Sequence, residues 1–254
     1  MITKNEIERF AECSAKALTS QHERNGIGTL GERMLHLILK NFFEPDTHCH
    51  EQKVGRFVAD IKNADGITEI QTRAFGSMRK KLAAFTKDHH VNVVFPISSQ
   101  KYIIKIDPAS GELSERRKSP KCGKPWDILY ELYALRPIMP LDNVTFTLVF
   151  LEMDEFRVAS GKSVGRRRGA VRYERIPTSL VDIMVLKTPE DMKQLIPPDL
   201  GDSFSAAEFA KAAKMTPRTA GYAIRTLVSL GVIEHTETKG KAYIYTKVGD
   251  AVQV

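Results

Sequence analysis

The chain has 254 residues, enough for one large hydrophobic core or two modest ones, because domains usually span roughly 100–200 residues. Its 38 Lys and Arg against 31 Asp and Glu give a formal net charge of +7, which favours a polyanionic partner such as DNA. The cysteines Cys13, Cys49 and Cys122 form no CxxC pair, which argues against a disulfide framework and a cysteine-ligated zinc. Because no signal-like or membrane-spanning apolar run occurs, we expect a cytoplasmic protein with no membrane partner.

Two helices are predicted at the N-terminus, over about 4–19 and 29–43. The apolar residues of the second follow the i, i+3, i+4, i+7 spacing of one helical face: Leu35, Ile38, Leu39 and Phe42. Glu32 lies three residues before Leu35 on the same stripe. We therefore expect the Glu32 carboxylate to point toward the core.

After these helices the pattern changes to short alternating segments. They predict three strands, over about 49–54, 56–62 and 67–73, joined by turns as a meander. A helix over about 75–87 follows, and then strands over 91–97 and 102–106.

The middle of the chain contains two basic segments that we expect to be exposed loops: 114–125 (SERRKSPKCGKP) and 161–169 (GKSVGRRRG). Between and around them we predict a helix near 126–136 and strands near 144–151 and 179–186. The acidic run from Glu152 to Glu155 is interpreted as a solvated strand end.

The last part of the chain has a helix–turn–helix pattern. A helix from Phe204 to Met215 is capped by Ser203 or Ser205, and Thr216-Pro217 begins a second helix that ends at Leu230. A Gly-tipped hairpin follows, with its polar turn at Thr238 to Lys241. This arrangement resembles a winged helix-turn-helix domain.

That resemblance implies DNA contacts, because the second helix of such domains lies in the major groove and the wing contacts the DNA backbone or minor groove. The residues expected to face DNA are Arg218, Thr219, Tyr222 and Arg225, with Lys239 and Lys241 as wing contacts to phosphate. The residues expected to build the core are Ala223, Ile224, Leu227 and Val228. A winged domain used for protein contacts or dimerisation is the alternative.

A pair of carboxylates is predicted in the meander. Val58, Asp60 and Lys62 share one face of a strand, and Glu69 and Gln71 share one face of the next. Adjacent antiparallel strands would place Asp60 beside Glu69. Two close carboxylates repel unless a cation lies between them, and Mg²⁺ prefers such oxygen ligands. The spacing therefore indicates a metal site.

The segments GERMLH, VADI and EIQ, followed by an amphipathic helix and a strand, resemble the core of the PD-(D/E)xK nuclease superfamily. The resemblance implies an α/β (α+β) restriction-endonuclease-like fold with a mixed central sheet flanked by helices. It also implies Asp60, Glu69 and Glu32 as ligands of Mg²⁺ or Mn²⁺. Gln71 stands where the superfamily usually has Lys, and Lys62 is our first candidate to supply that charge, ahead of Lys80 or Lys81.

Together these observations predict a nuclease-like domain over 1–187 and a winged helix-turn-helix domain over 188–254. The expected function is metal-dependent DNA endonuclease activity directed by the winged domain. The alternatives are a non-catalytic DNA-binding transcriptional regulator and a nuclease fold that binds DNA without cleaving it. Whether the chain forms a homodimer is left open.

Overall fold

The computed structural model describes residues 2–22, 33–139, 142–164 and 167–249. Its N-terminal elements are helices α1 (Lys4–His22) and α2 (Arg33–Phe43) and strands β1 (His50–Val54), β2 (Phe57–Asn63) and β3 (Gly66–Ile70). A 3-10 turn then leads into α3 (Arg79–Phe85) and the long strand β4 (Val91–Ile106). The next elements are β5 (Arg117–Lys118), α4 (Ile128–Tyr133), β6 (Val144–Val164) and β7 (Arg167–Leu186).

These strands form a mixed sheet in the order β1-β2-β3-β4-β6-β7, and β5 pairs with the edge of β4. The first three strands are antiparallel, β3, β4 and β6 are mutually parallel, and β7 returns antiparallel to β6. Helix α3 therefore connects the parallel pair β3 and β4. From α2 onward the order is one helix, three antiparallel strands, a crossover helix and a parallel strand.

Helices cover both faces of the sheet. Val93 and Val94 are neighbours on β4, so their side chains point to opposite faces. Val94 belongs to a buried cluster with α1 and α2 that includes Phe10, Leu35, Ile38, Leu39 and Phe42. Val93 belongs to the other cluster, which includes Phe75, Leu82 and Phe85 near α3 and Leu129 and Leu132 of α4. The predicted mixed sheet flanked by helices is confirmed.

Residues 188–249, called here the C-terminal module, contain two main helices and a small sheet. Its elements are α5 (Pro189–Met192), β8 (Ser203–Ser205), α6 (Ala206–Ala213), α7 (Pro217–Ser229), β9 (Ile233–Lys239) and β10 (Ala242–Lys247). The strands are antiparallel in the order β8-β10-β9. Ser205 caps α6 with Glu208 in a capping box, and Thr216 caps α7 with Pro217 as its first residue. These caps agree with the sequence patterns.

The C-terminal module shares a hydrophobic core with α4 and the sheet. Ile224 and Leu227 of α7 belong to the same buried cluster as Leu129. The Thr226 hydroxyl donates to the carbonyl of Leu129 at 3.2 Å, and Trp126 Nε1 donates to the carbonyl of Ala213 at 3.2 Å. The apolar packing therefore continues across residue 187.

Contact with α4 also changes which face of α7 is buried. We expected Val228 to be a core residue, but its side chain is 42% exposed, whereas Thr226 is fully buried. The reason is that α4 covers the side of α7 that carries Thr226, and its hydroxyl is satisfied by a helix carbonyl there.

Four predicted strands were too short. The segments 91–97 and 102–106 form the single strand β4, which has a register shift between Ser98 and Gln100 where it pairs with β6. The strands near 144–151 and 179–186 continue into the long β6–β7 hairpin.

Glu155, expected at a solvated strand end, is fully buried. Three cations, Lys101, Arg157 and Arg172, contact its carboxylate and make this burial tolerable.

No helix in the described ranges is long and apolar enough to cross a membrane.

Candidate metal and nucleic-acid sites

Asp60 and Glu69 meet where β2 and β3 separate. The antiparallel pairing of these strands ends at Ile61 and Thr68. Beyond that pair the side chains replace strand pairing: the Asp60 N–H donates to Glu69 Oε1 at 3.2 Å, and the Ile70 N–H donates to Asp60 Oδ2 at 2.7 Å. The two carboxylates therefore lie together between adjacent strands.

The electrostatics of this pair are dominated by burial. Glu69 is 4% exposed, and desolvation together with the negative charge of Asp60 raises the pKa of Glu69 to about 7. Lys81 acts in the opposite direction, because its Nζ lies 2.5 Å from Glu69 Oε2 and favours the ionised form. Additional positive charge at this point would stabilise both carboxylates in their ionised state.

The lysine beside the carboxylates is Lys81 of α3, not Lys62. Lys62 is half-buried opposite Ile67, and no hydrogen bond or ion pair joins it to Asp60 or Glu69 in the described part of the chain. Lys81 lies one helical turn before the buried Phe85 and 5.7 Å from its ring centroid. That i, i+4 relation places Lys81 next to the buried stripe of α3 and could have indicated it from the sequence.

Gln71, predicted at the usual lysine position, does not contact the pair. Its side-chain amide donates to the carbonyl of Arg73 at 2.6 Å, and its backbone N–H donates to Val94. Gln71 therefore fixes the segment that follows β3. Lys81 is the cation that occupies the place next to Glu69.

The third predicted ligand, Glu32, lies outside the described residues. Burial raises the pKa of Glu174 of β7 to about 7, and the backbone of Met34, in the first turn of α2, acts in the opposite direction. The described ranges contain no group of three or more His, Cys, Asp or Glu suited to a metal ion. Asp60 and Glu69 alone still match Mg²⁺, which commonly uses one or two carboxylates and keeps several waters.

The residues of the C-terminal module that were predicted to face DNA differ in their exposure. Arg218 and Arg225 are exposed, and Thr219 is half-buried with its N–H bonded to the cap residue Thr216. The half-buried Tyr222, also expected to face DNA, packs its ring 4.6 Å from that of Tyr133, because α4 lies on that side of α7. On the hairpin Lys239 pairs with Glu237 at 2.9 Å, and both Lys239 and Lys241 are exposed.

A second cationic surface lies at the far end of β4. A cavity of about 850 Å³, called here the distal basic groove, is lined by Ile103, Lys105, Ser114 to Pro120, Arg157 and Ala170. Lys105, Arg117 and Lys118 are exposed and have no ion-pair partner among the described residues. Arg116 is held in place, 3.3 Å over the Tyr102 ring and 2.8 Å from Asp154. The sequence indicated an exposed basic loop here but no groove.

The buried Glu155 adjoins this groove, because one of its ion-pair partners, Arg157, lines it. Burial opposes ionisation, but the hydrogen bonds from Lys101 and Arg157 outweigh it and lower the pKa of Glu155. Arg172 contributes a third positive charge, 3.4 Å away. One negative charge thus orders three cations, and the region keeps an excess of positive charge.

Comparison with known proteins gives a match over residues 33–187 to the family described as a domain of unknown function, DUF8091. The chain belongs to this family. An uncharacterized protein of Treponema pallidum (strain Nichols) is 26% identical over 228 residues, which is 87% of each chain. No solved structure matches. The DUF8091 segment contains Asp60, Glu69, Lys81 and the distal basic groove, and it ends before the C-terminal module.

Proposed function

We propose that this DUF8091 protein is a metal-dependent deoxyribonuclease whose reaction centre is formed by Asp60, Glu69 and Lys81. The observation that carries the proposal is the meeting of the two carboxylates between β2 and β3, with Lys81 Nζ against Glu69. These residues lie in a helix, three-strand, helix, strand arrangement. That arrangement is the one the PD-(D/E)xK resemblance implies.

Each residue has a role in this proposal. Asp60 and Glu69 would hold Mg²⁺ or Mn²⁺, which when bound polarises a phosphate and lowers the pKa of a coordinated water. Lys81 would place a positive charge beside the phosphate. Gln71, at the usual lysine position, is neutral and does not supply that charge. The Lys81 side chain is 22% exposed, so part of it faces solvent beside the buried Glu69.

DNA as the substrate is supported by the two cationic surfaces. In the proposed winged-helix interpretation of the C-terminal module, Arg218, Arg225, Lys239 and Lys241 supply DNA contacts. The distal basic groove would bind phosphates separately. Ile103 in that groove is ten residues beyond Val93, the β4 partner of Glu69. At roughly 3.3 Å per residue this spans about 33 Å, close to one helical turn of B-DNA.

The direct test is cleavage of plasmid, linear duplex and branched DNA by the full chain with Mg²⁺, Mn²⁺ or EDTA. We expect metal-dependent cleavage that is lost in Asp60→Asn and Glu69→Gln, and a kcat lower by about tenfold or more in Lys81→Ala. Asp65→Asn, an exposed carboxylate in the same hairpin, is the matched control. Cleavage that survives EDTA, or that persists in Asp60→Asn, would refute the metal site.

The second candidate is a non-catalytic DNA-binding regulator. Its supporting observation is that Asp60 and Glu69 each accept a backbone N–H and that Lys81 already contacts the Glu69 carboxylate. A carboxylate pair satisfied in this way can be structural. Tight DNA binding without cleavage of any substrate would favour this candidate.

A further inference from the structure

Two tyrosines of α4, Tyr130 and Tyr133, meet a third, Tyr222 of α7, at the junction of the two helices. They line an open groove of about 530 Å³, called here the tyrosine groove, together with the segment after β3. Its principal lining residues are Arg73, Ser77, Tyr130, Glu131, Tyr133 and Tyr222. Tyr130 and Tyr133 are i, i+3 neighbours on α4, and packing of α7 on α4 adds the third ring, Tyr222.

The rings form a supported aromatic surface. Tyr222 lies 4.6 Å from Tyr133 and 5.8 Å from Tyr130, measured between ring centroids. Packing of α7 on α4 accounts for the positions of Tyr133 and Tyr222. It does not account for Tyr130, which is 51% exposed. Tyr130 thus offers accessible aromatic surface next to two fixed rings.

Two arginines lie beside this aromatic surface. Arg218 lies 5.8 Å from the Tyr222 ring and donates to its hydroxyl at 3.1 Å, while Arg136 lies 5.3 Å over Tyr133. Glu131 is the acidic residue of the lining, and its Oε2 accepts the N–H of Phe75. Aromatic rings for stacking beside arginines for phosphate are the combination that binds single-stranded nucleic acid.

We propose that the tyrosine groove binds an unpaired nucleotide, with its base stacked on Tyr130, so that the preferred substrate is duplex DNA carrying single-stranded nucleotides. The assignment of this substrate class rests on the proposed function of the Asp60–Glu69 site. A base inside a duplex is stacked on both faces by its neighbours, so it must be unpaired and extruded to reach a side chain.

The position of the groove links it to the carboxylates. Arg73 follows Glu69 by four residues, so their Cα atoms are at most about 14 Å apart at roughly 3.6 Å per residue. DNA advances about 3.4 Å per nucleotide along one strand. A base held by Tyr130 would therefore belong to a nucleotide within a few positions of a phosphate at Asp60 and Glu69.

The test uses the full chain in EDTA, with two DNAs of equal length: a fully paired duplex and a duplex with a short single-stranded flap containing 2-aminopurine. We expect the wild type to bind the flap DNA more tightly and to change 2-aminopurine fluorescence through stacking. Tyr130→Ala should weaken flap binding about 5- to 150-fold and remove the fluorescence change. Tyr130→Phe should retain both, and duplex affinity should stay unchanged in both variants.

The inference is wrong if Tyr130→Ala keeps the wild-type flap affinity and fluorescence change, or if the wild type does not prefer the flap. Matching thermal melts of the three proteins verify folding. Because no metal is present, the result is independent of cleavage. Flap binding through Tyr130 without cleavage in Mg²⁺ or Mn²⁺ would refute the nuclease proposal and support the groove. Cleavage by the wild type together with unchanged flap binding in Tyr130→Ala would support the nuclease proposal and refute the groove.

Discussion

At the residue scale, Glu69 has an unusual balance of forces. Its carboxylate is buried beside a second carboxylate, Asp60, and a single cation, Lys81, compensates it. Burial and like charge disfavour the ionised form more than one lysine favours it, so the pKa of Glu69 lies near 7. The folded state therefore binds this proton more tightly than the unfolded state does.

This imbalance predicts a pH-dependent stability. The pKa of Glu69 in the folded state is above its ordinary value of 4.5. The stabilisation that its bound proton gives to the folded state is therefore fully present below pH 4.5 and is lost as pH rises through about 7. We expect Glu69→Gln to be more stable than the wild type at pH 8 by up to about 3 kcal/mol. The difference should disappear near pH 4.5, as measured by urea unfolding across this range.

The control for this prediction is Glu174, whose pKa burial also raises to about 7. Glu174→Gln should reproduce the pH effect, because it too removes a buried carboxyl that ionises unfavourably. It should leave metal binding unchanged, because Glu174 does not contact Asp60 or Glu69. Equal stability of Glu69→Gln and the wild type at pH 8 would contradict the burial argument.

Metal binding can be measured without cleavage. A ligand that binds only the folded state raises the free energy of unfolding by about 2.7 kcal/mol at 100 times its Kd. We expect Mg²⁺ or Mn²⁺ to raise the Tm of the wild type at pH 8 and to leave the Tm of Asp60→Asn unchanged. The control Asp65→Asn should respond like the wild type. An equal shift in Asp60→Asn would place the metal elsewhere.

At the element scale, the contact between α7 and α4 determines how the C-terminal module is held. Leu227 is fully buried in the core cluster that also contains Leu129 of α4, and Thr226 donates to the same helix. Trp126, just before α4, donates to the end of α6. The elements on either side of residue 187 thus share one apolar core.

Neighbouring substitutions on α7 test this shared core. Leu227→Ala should destabilise the whole chain by about 2–5 kcal/mol, because it leaves a cavity in packed surroundings. Val228→Ala, at an exposed position, should change stability by less than about 0.5 kcal/mol. Trp126 fluorescence and far-UV circular dichroism should report one coincident transition. A separate early transition of the C-terminal module would show that the two parts unfold independently.

At the scale of the whole molecule, two cationic surfaces lie on different parts of the fold. The distal basic groove is at the end of the β4–β6–β7 extension, and Arg218 and Arg225 are on α7. Phosphate contacts are sequence-independent and salt-dependent, whereas base contacts change with the sequence. The two surfaces can therefore be separated by their response to salt and to DNA sequence.

Charge reversal in the groove gives the corresponding prediction. Arg117→Glu and Lys118→Glu should weaken binding to all duplexes alike and reduce the slope of log K against log salt by about 0.9 per lost phosphate contact. Arg225→Ala should cost about 1–3 kcal/mol if it contacts a base, with loss of sequence preference. Lys16→Glu, an exposed charge on α1, is the control. Unchanged slopes for both groove variants would exclude the groove from DNA binding.

The sequence by itself determined the features that depend on local patterns. Alternation along β2 and β3 predicted the proximity of Asp60 and Glu69, because side chains on paired strands repeat every second residue. The Ser205 and Thr216 caps followed from residue types that satisfy free N–H groups at helix starts. The order of helices and strands in the first hundred residues followed from the change between the two periodicities, and the mixed sheet flanked by helices was what the PD-(D/E)xK resemblance implied.

Only the tertiary structure decided which residues from distant parts of the chain meet. It placed Lys81 rather than Lys62 at Glu69, buried Thr226 instead of Val228, and neutralised Glu155 with cations from three strands. It also gathered Tyr130, Tyr133 and Tyr222 into one groove. Burial and ion pairing depend on which elements pack together, and no periodicity within a single segment contains that information.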